Sequence, residues 1–203
     1  MKKKLSKISL LIIIIILIIG SSVIAYKYFK KDNNLNNVKV VSKIDGYKYK
    51  LTNNKTALYK KYFVGLRDIL VAKEIDDEKY AKQIVKLFIA DFYDLDSKIS
   101  KTDIGGLDYI YPKALDNFKL NAQNTMYKYI ENNVYNNRKQ LLPVVKSVTI
   151  INSNTTELEV DNQGYIGYQV EASWLYDKDL GYQNKAIFDL VKIDKYYYII
   201  KTE

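Results

Sequence analysis

At 203 residues the chain carries 32 basic and 23 acidic side chains, a formal charge of +9, and has neither cysteine nor histidine. That composition excludes thiol nucleophiles, disulfides, Cys/His zinc centres and any Ser-His-Asp arrangement. Seven lysines and no acid fall in residues 1–31, which leaves 25 basic against 23 acidic residues in 32–203, so nucleic acid is not an expected partner.

The first element is ISLLIIIIILIIGSSVIAY, residues 8–26, uncharged from end to end between Lys7 and Lys27. As a helix it reaches about 28 Å, close to the ~30 Å of bilayer hydrocarbon, and so predicts a transmembrane anchor. Tyr26, Tyr28 and Phe29 suit the headgroup level, and the flanking lysines attract anionic lipid. Membrane lipid is therefore the first expected partner. Basic residues are nearly balanced across the span, but the short tail MKKKLSK resembles the start of an export signal, which favours a cytoplasmic N-terminus and an extracytoplasmic C-terminal domain. Val23 and Ala25 also fit a signal-peptidase cut before Tyr26, so secretion after cleavage near Ala25 stands as the alternative.

Three units follow from this reading: a basic tail and anchor over 1–31, a tether and extended arm over 32–54, and an α+β domain over 55–203. The tether is Asn-rich, and within the arm Tyr47, Tyr49 and Leu51 alternate with lysines. A helix is predicted over 57–72 from the stripe Leu58, Tyr62, Leu66, Ile69 and Leu70. A second, over 77–95, opens on Asp76-Asp77-Glu78, acids that complement the helix dipole. Leu107–Tyr111 reads as a short strand, and Pro112 introduces a third helix over 113–133. After Pro143 the apolar period drops to two: strands over 144–151, 155–160, 166–176, 183–193 and 196–201, the longest burying Ile166, Tyr168, Val170, Ala172, Trp174 and Tyr176. The fold class is thus α+β, about three helices on a curved antiparallel sheet of about four strands behind an N-terminal transmembrane helix.

This order of elements resembles the nuclear transport factor 2-like (cystatin-like) fold in its membrane-anchored form, as in scaffold subunits of bacterial conjugation machines. Asp91-Phe-Tyr-Asp-Leu95, Asp103-Ile-Gly-Gly106, Asn137-Arg-Lys-Gln140 and Lys178-Asp-Leu-Gly-Tyr182 also look like segments of single-pass envelope proteins of low-GC Gram-positive bacteria. The resemblance implies an envelope location and a cone between helices and sheet. In ketosteroid-isomerase-like relatives that cone holds a tyrosine and acids.

Four residues are candidates to line such a cone: Asp91, Tyr168, Trp174 and Tyr176. The three aromatics would floor a pocket, or simply pack the core. Asp91, close to Asp94 and Asp96, would have a raised pKa in an apolar cone and act as acid or base; otherwise these acids are solvated or cap the next turn. The acids lack a calcium-loop register and no Gly-rich phosphate loop is present, so neither metal nor cofactor is expected. Asp103–Asp108 is either a binding lip or a glycine turn, and Asn136–Gln140 either a contact corner or a solvated helix end. The expected function is a non-catalytic, membrane-anchored interaction or scaffold domain with an envelope protein partner. The alternative is a ligand or acid–base site in the cone.

Overall fold

The computed structural model describes residues 38–203, so the expected anchor, its flanks and the first part of the tether lie outside the described residues. Among the described residues no helix is long and apolar enough to cross a membrane.

The first described strands, β1 (Val40–Lys43) and β2 (Lys50–Thr52), form an antiparallel hairpin whose turn uses Gly46 at φ 76°. Ile44, Tyr49 and Leu51 are buried, so the alternating arm read from sequence is a two-stranded element of the domain itself. The chain from Lys39 to Glu203 groups as one unit. The hairpin forms a sheet of its own, and among the described residues no backbone hydrogen bond joins it to the larger sheet.

Helix α1 (Ala57–Leu70) starts where Thr56 accepts the Tyr59 amide on its hydroxyl. Its inward residues are Tyr59, Phe63, Leu66 and Leu70, a stripe rotated from the expected one, with Leu58, Tyr62 and Ile69 on its flanks. Helix α2 (Asp77–Phe92) is capped by the Asp76 carboxylate on Lys79 N at 2.9 Å. From Tyr80 onward it is buried on nearly every side, because α1 covers one flank while β3, β4 and β6 take the other.

The strand expected over Leu107–Tyr111 is a 3-10 turn, Leu107–Tyr109, followed by a single parallel bridge from Ile110 to Ile199. Helix α3 (Leu115–Asn124) stops well short of residue 133. The Thr125 hydroxyl takes the carbonyl of Asn121, and Tyr127 turns inward to donate its hydroxyl to Phe92 O at 2.6 Å. A tertiary contact thus outweighs local helical preference.

The main sheet is an antiparallel meander in the order β3 (Val145–Val160), β4 (Gln163–Tyr176), β5 (Lys185–Ile193), β6 (Tyr196–Thr202). The break expected between 151 and 155 is instead a bulge at Ile151 within one long strand. Asp161 and Asn162, at φ 54° and 63°, make the two-residue turn into β4. Asp161 then accepts Tyr111 Oη and Lys113 Nζ at 2.5 and 2.6 Å, which fastens the hairpin tip. Val170, Ala172 and Trp174 are buried as their alternation predicts. Ile166 is 69% exposed, because β5 begins to pair with β4 only at Tyr168. The described part is therefore α+β, three helices on a four-stranded antiparallel sheet.

Candidate functional site

Asp91 sits in the last turn of α2, one turn beyond Phe88, and faces inward. Its Oδ2 accepts Lys55 Nζ at 2.6 Å and the Gly106 amide at 2.8 Å, and its Oδ1 accepts Lys98 Nζ at 2.8 Å. The Asp91 and Lys98 side chains keep 8% and 6% of their surface in solvent. Burial pushes the Asp91 pKa upward, but the ammonium groups of Lys98 and Lys55 outweigh it and hold the carboxyl near 2. A carboxylate locked in its ionised form serves neither as general acid nor as a base poised near neutrality. Its job is to neutralise two lysines and tie three chain segments together.

The Gly105-Gly106 pair completes this knot. A Cβ on Gly105 would lie 2.2 Å from Asp91 O and 2.8 Å from Lys98 Nζ, and Gly106 is left-handed at φ 74° against the Phe88 ring. The glycines thus allow close approach of the chain to itself. The recess above them, between Asn54, Lys55, Ser97 and Asp103, holds about 30 Å³, roughly the room of one water.

The neighbouring acids do other work. Asp94 accepts the amides of Val145 and Ser97 at 3.1 and 3.2 Å, which fixes the start of β3, and its burial raises its pKa. Asp96 is exposed and lies 3.6 Å from Arg138.

Trp174 is 1% exposed and packs on Tyr93 with ring centres 4.3 Å apart. Tyr176 lies beside this pair, donates its hydroxyl to Gln183 O at 2.7 Å, and is pushed by burial to a pKa of about 12. Tyr168 stands near the middle of the strand, 5.9 Å from the Tyr197 ring. The four candidate residues therefore fall into three separate places. Between α2 and the sheet the space is filled by side chains, with Phe88 on Phe188 at 5.8 Å as its centre.

Open volume lies elsewhere. A cleft of about 530 Å³ runs between the start of α1 (Thr56, Ala57, Leu58, Lys61), the Asp94–Ser97 turn and Val144–Lys146. It shares Asp96 and Val144 with a second cleft of about 180 Å³ that ends at Leu180. Together they form one surface groove with an apolar floor and charges of both signs on its walls. Sequence patterning does not reveal this groove, since its walls come from segments far apart in the chain.

No family model, curated protein or solved structure matches the chain.

Beside the groove, the polar corner at Asn136–Gln140 has a definite structural role. Arg138 keeps only 3% of its side chain in solvent and donates to Lys98 O and Asp96 O at 2.8 and 2.7 Å. Gln140 closes the loop at its neck, donating to Tyr129 O and accepting from Glu131 N. The result is a fixed Ω-loop on which Tyr129 and Tyr135 are 74% and 71% exposed. Among the described residues no cluster of three or more acids could hold a metal ion.

Proposed function

We propose that this protein is a membrane-anchored, extracytoplasmic interaction domain of nuclear transport factor 2-like build, which binds a partner protein at the bacterial cell envelope. The observation that carries the reading is where space is found. The interior between α2 and the sheet is packed with rings, while the groove along α1, Val144 and Leu180 is open, partly apolar and rimmed by charge. A catalytic cone needs the reverse arrangement. The apolar segment at 8–26 and its lysine flanks support the location, and the order of helices and strands supports the fold assignment. Crosslinking with mass spectrometry in native membranes tests it: crosslinks from Lys61 and Lys146 to a second protein are expected. A small molecule co-purifying with the chain, with no protein crosslink, overturns it.

The second reading, a small-molecule site, rests on Asp94, a buried carboxyl with a raised pKa that lines the groove. Both of its oxygens already accept backbone amides, which leaves little capacity for substrate.

A further inference from the structure

We propose that the Ω-loop Tyr129–Gln140 is a docking face for an anionic bilayer surface. The inference rests on the anchored reading for its setting, and on the loop's own chemistry for its content.

A loop of this length without regular structure pays an ordering cost, and here that cost is met by specific bonds. Asn133 N donates to Ile99 O at 2.7 Å, Asn133 Oδ1 accepts Arg138 N at 3.0 Å, and the Arg138 guanidinium spans Lys98 O and Asp96 O. On that frame Tyr129, Val134 and Tyr135 stand 74%, 41% and 71% exposed. These rings keep most of their surface in solvent, and Lys128 lies over the Tyr129 ring at 5.0 Å. Their chemistry suits a boundary where an apolar body is buried and a hydroxyl stays wet.

The exposed charge around them is mostly basic. Lys139 on the loop, Lys128 just before it, and Lys101 two residues beyond Ile99 are exposed and make no ion pair among the described residues. Glu131 is the sole acid of the loop. Lysines interleaved with exposed tyrosines match anionic headgroups over a shallow apolar layer. Twelve residues, 27–38, separate the apolar segment from the domain, a length of chain that spans at most about 40 Å. A single span plus a basic, aromatic contact would fix the domain's orientation on the membrane. The groove would then face a partner in one presentation only.

The chain has no cysteine, so a single labelled cysteine reports one place. The full chain carrying Tyr135→Cys with an environment-sensitive fluorophore is added to vesicles of phosphatidylcholine and to vesicles of phosphatidylcholine with phosphatidylglycerol. Expected in the mixture are a blue shift and severalfold stronger quenching by nitroxide-labelled lipid. Both effects should fall at high salt and in the Lys101→Gln, Lys128→Gln, Lys139→Gln variant. A label at Val71→Cys, at the exposed end of α1, should not respond. Flotation with phosphatidylcholine alone reads the anchor separately. A chain that floats but shows no shift at 135 in the mixture overturns the docking face and leaves the anchor standing, as does an equal shift in both vesicles or at Val71. A chain that floats only with the mixture, and shifts at 135, overturns the anchor and supports the docking face. Failure to float with either overturns both.

Discussion

Lys98 holds its ammonium 2.8 Å from Asp91 Oδ1 in a place where neither side chain keeps a tenth of its surface in solvent. Lys55 completes the pairing from the far side at 2.6 Å. Removing the shared acceptor strands two cations, one of them almost fully buried. Asp91→Ala should therefore cost about 3–5 kcal/mol in urea denaturation of the full chain. Lys98→Met should cost less, because Lys55 still neutralises Asp91. Equal losses would show that the knot does not depend on its carboxylate.

The same carboxylate sets an acid limit. Its folded pKa, near 2, lies below the unfolded value, so the stabilisation is complete above about pH 4 and disappears as pH falls through 2. Roughly 2 kcal/mol should be lost over that window through Asp91, and that share of the slope should be absent in Asp91→Asn. Stability measured from pH 5 down to 2 checks the sign.

Gly105 and Gly46 separate crowding from backbone strain. Gly105→Ala drives a Cβ into the Asp91 carbonyl and should cost about 3 kcal/mol or more. Gly46 has nothing within 4 Å, so Gly46→Ala should cost only about 1 kcal/mol, from its left-handed φ. Denaturation midpoints of the two variants give the comparison.

How much of this was readable from residue order depends on range. The first two helices start where Thr56 and Asp76 cap them, and the burial of Trp174 follows from strict alternation in β4. Local signals sufficed there. The inward turn of Asp91 was open to a periodicity argument, but its partners lie 36 and 7 residues away and only the tertiary fold brings them together. The end of α3 escapes local patterning for the same reason: the Tyr127 hydroxyl serves Phe92 and Gly105, not its own helix. By local pattern Arg138 reads as a solvated basic residue, and nothing local marks it as a buried clamp.

Tyr59 and Tyr109 meet hydroxyl to hydroxyl at 2.6 Å in the core. Either Tyr→Phe change leaves a buried hydroxyl without its partner, at about 1–2 kcal/mol. The double variant should cost less than the two singles together, by about 1 kcal/mol. Strict additivity in a double-mutant cycle would mean the hydroxyls are satisfied some other way.

Arg138→Ala should release the loop. Hydrogen exchange should rise across 129–140 and stability should drop by about 2–3 kcal/mol, with the helices keeping their protection. Arg138→Lys should not restore it, since one ammonium on a flexible stem does not reproduce a fork held to two carbonyls.

No backbone-to-backbone hydrogen bond ties the hairpin β1–β2 to the larger sheet among the described residues; its contacts include the Tyr49–Tyr80 hydroxyl pair, Lys195 on the Gly46 carbonyl, and the rings of Tyr47 and Tyr49 against Tyr196. A load entering at Lys39 therefore meets the Lys39–Asn53 bonds, the β1–β2 ladder and these contacts before any strand of the meander. That ladder and these contacts would have to part before the sheet behind them carries the load. The domain thus carries a mechanical fuse at its point of entry.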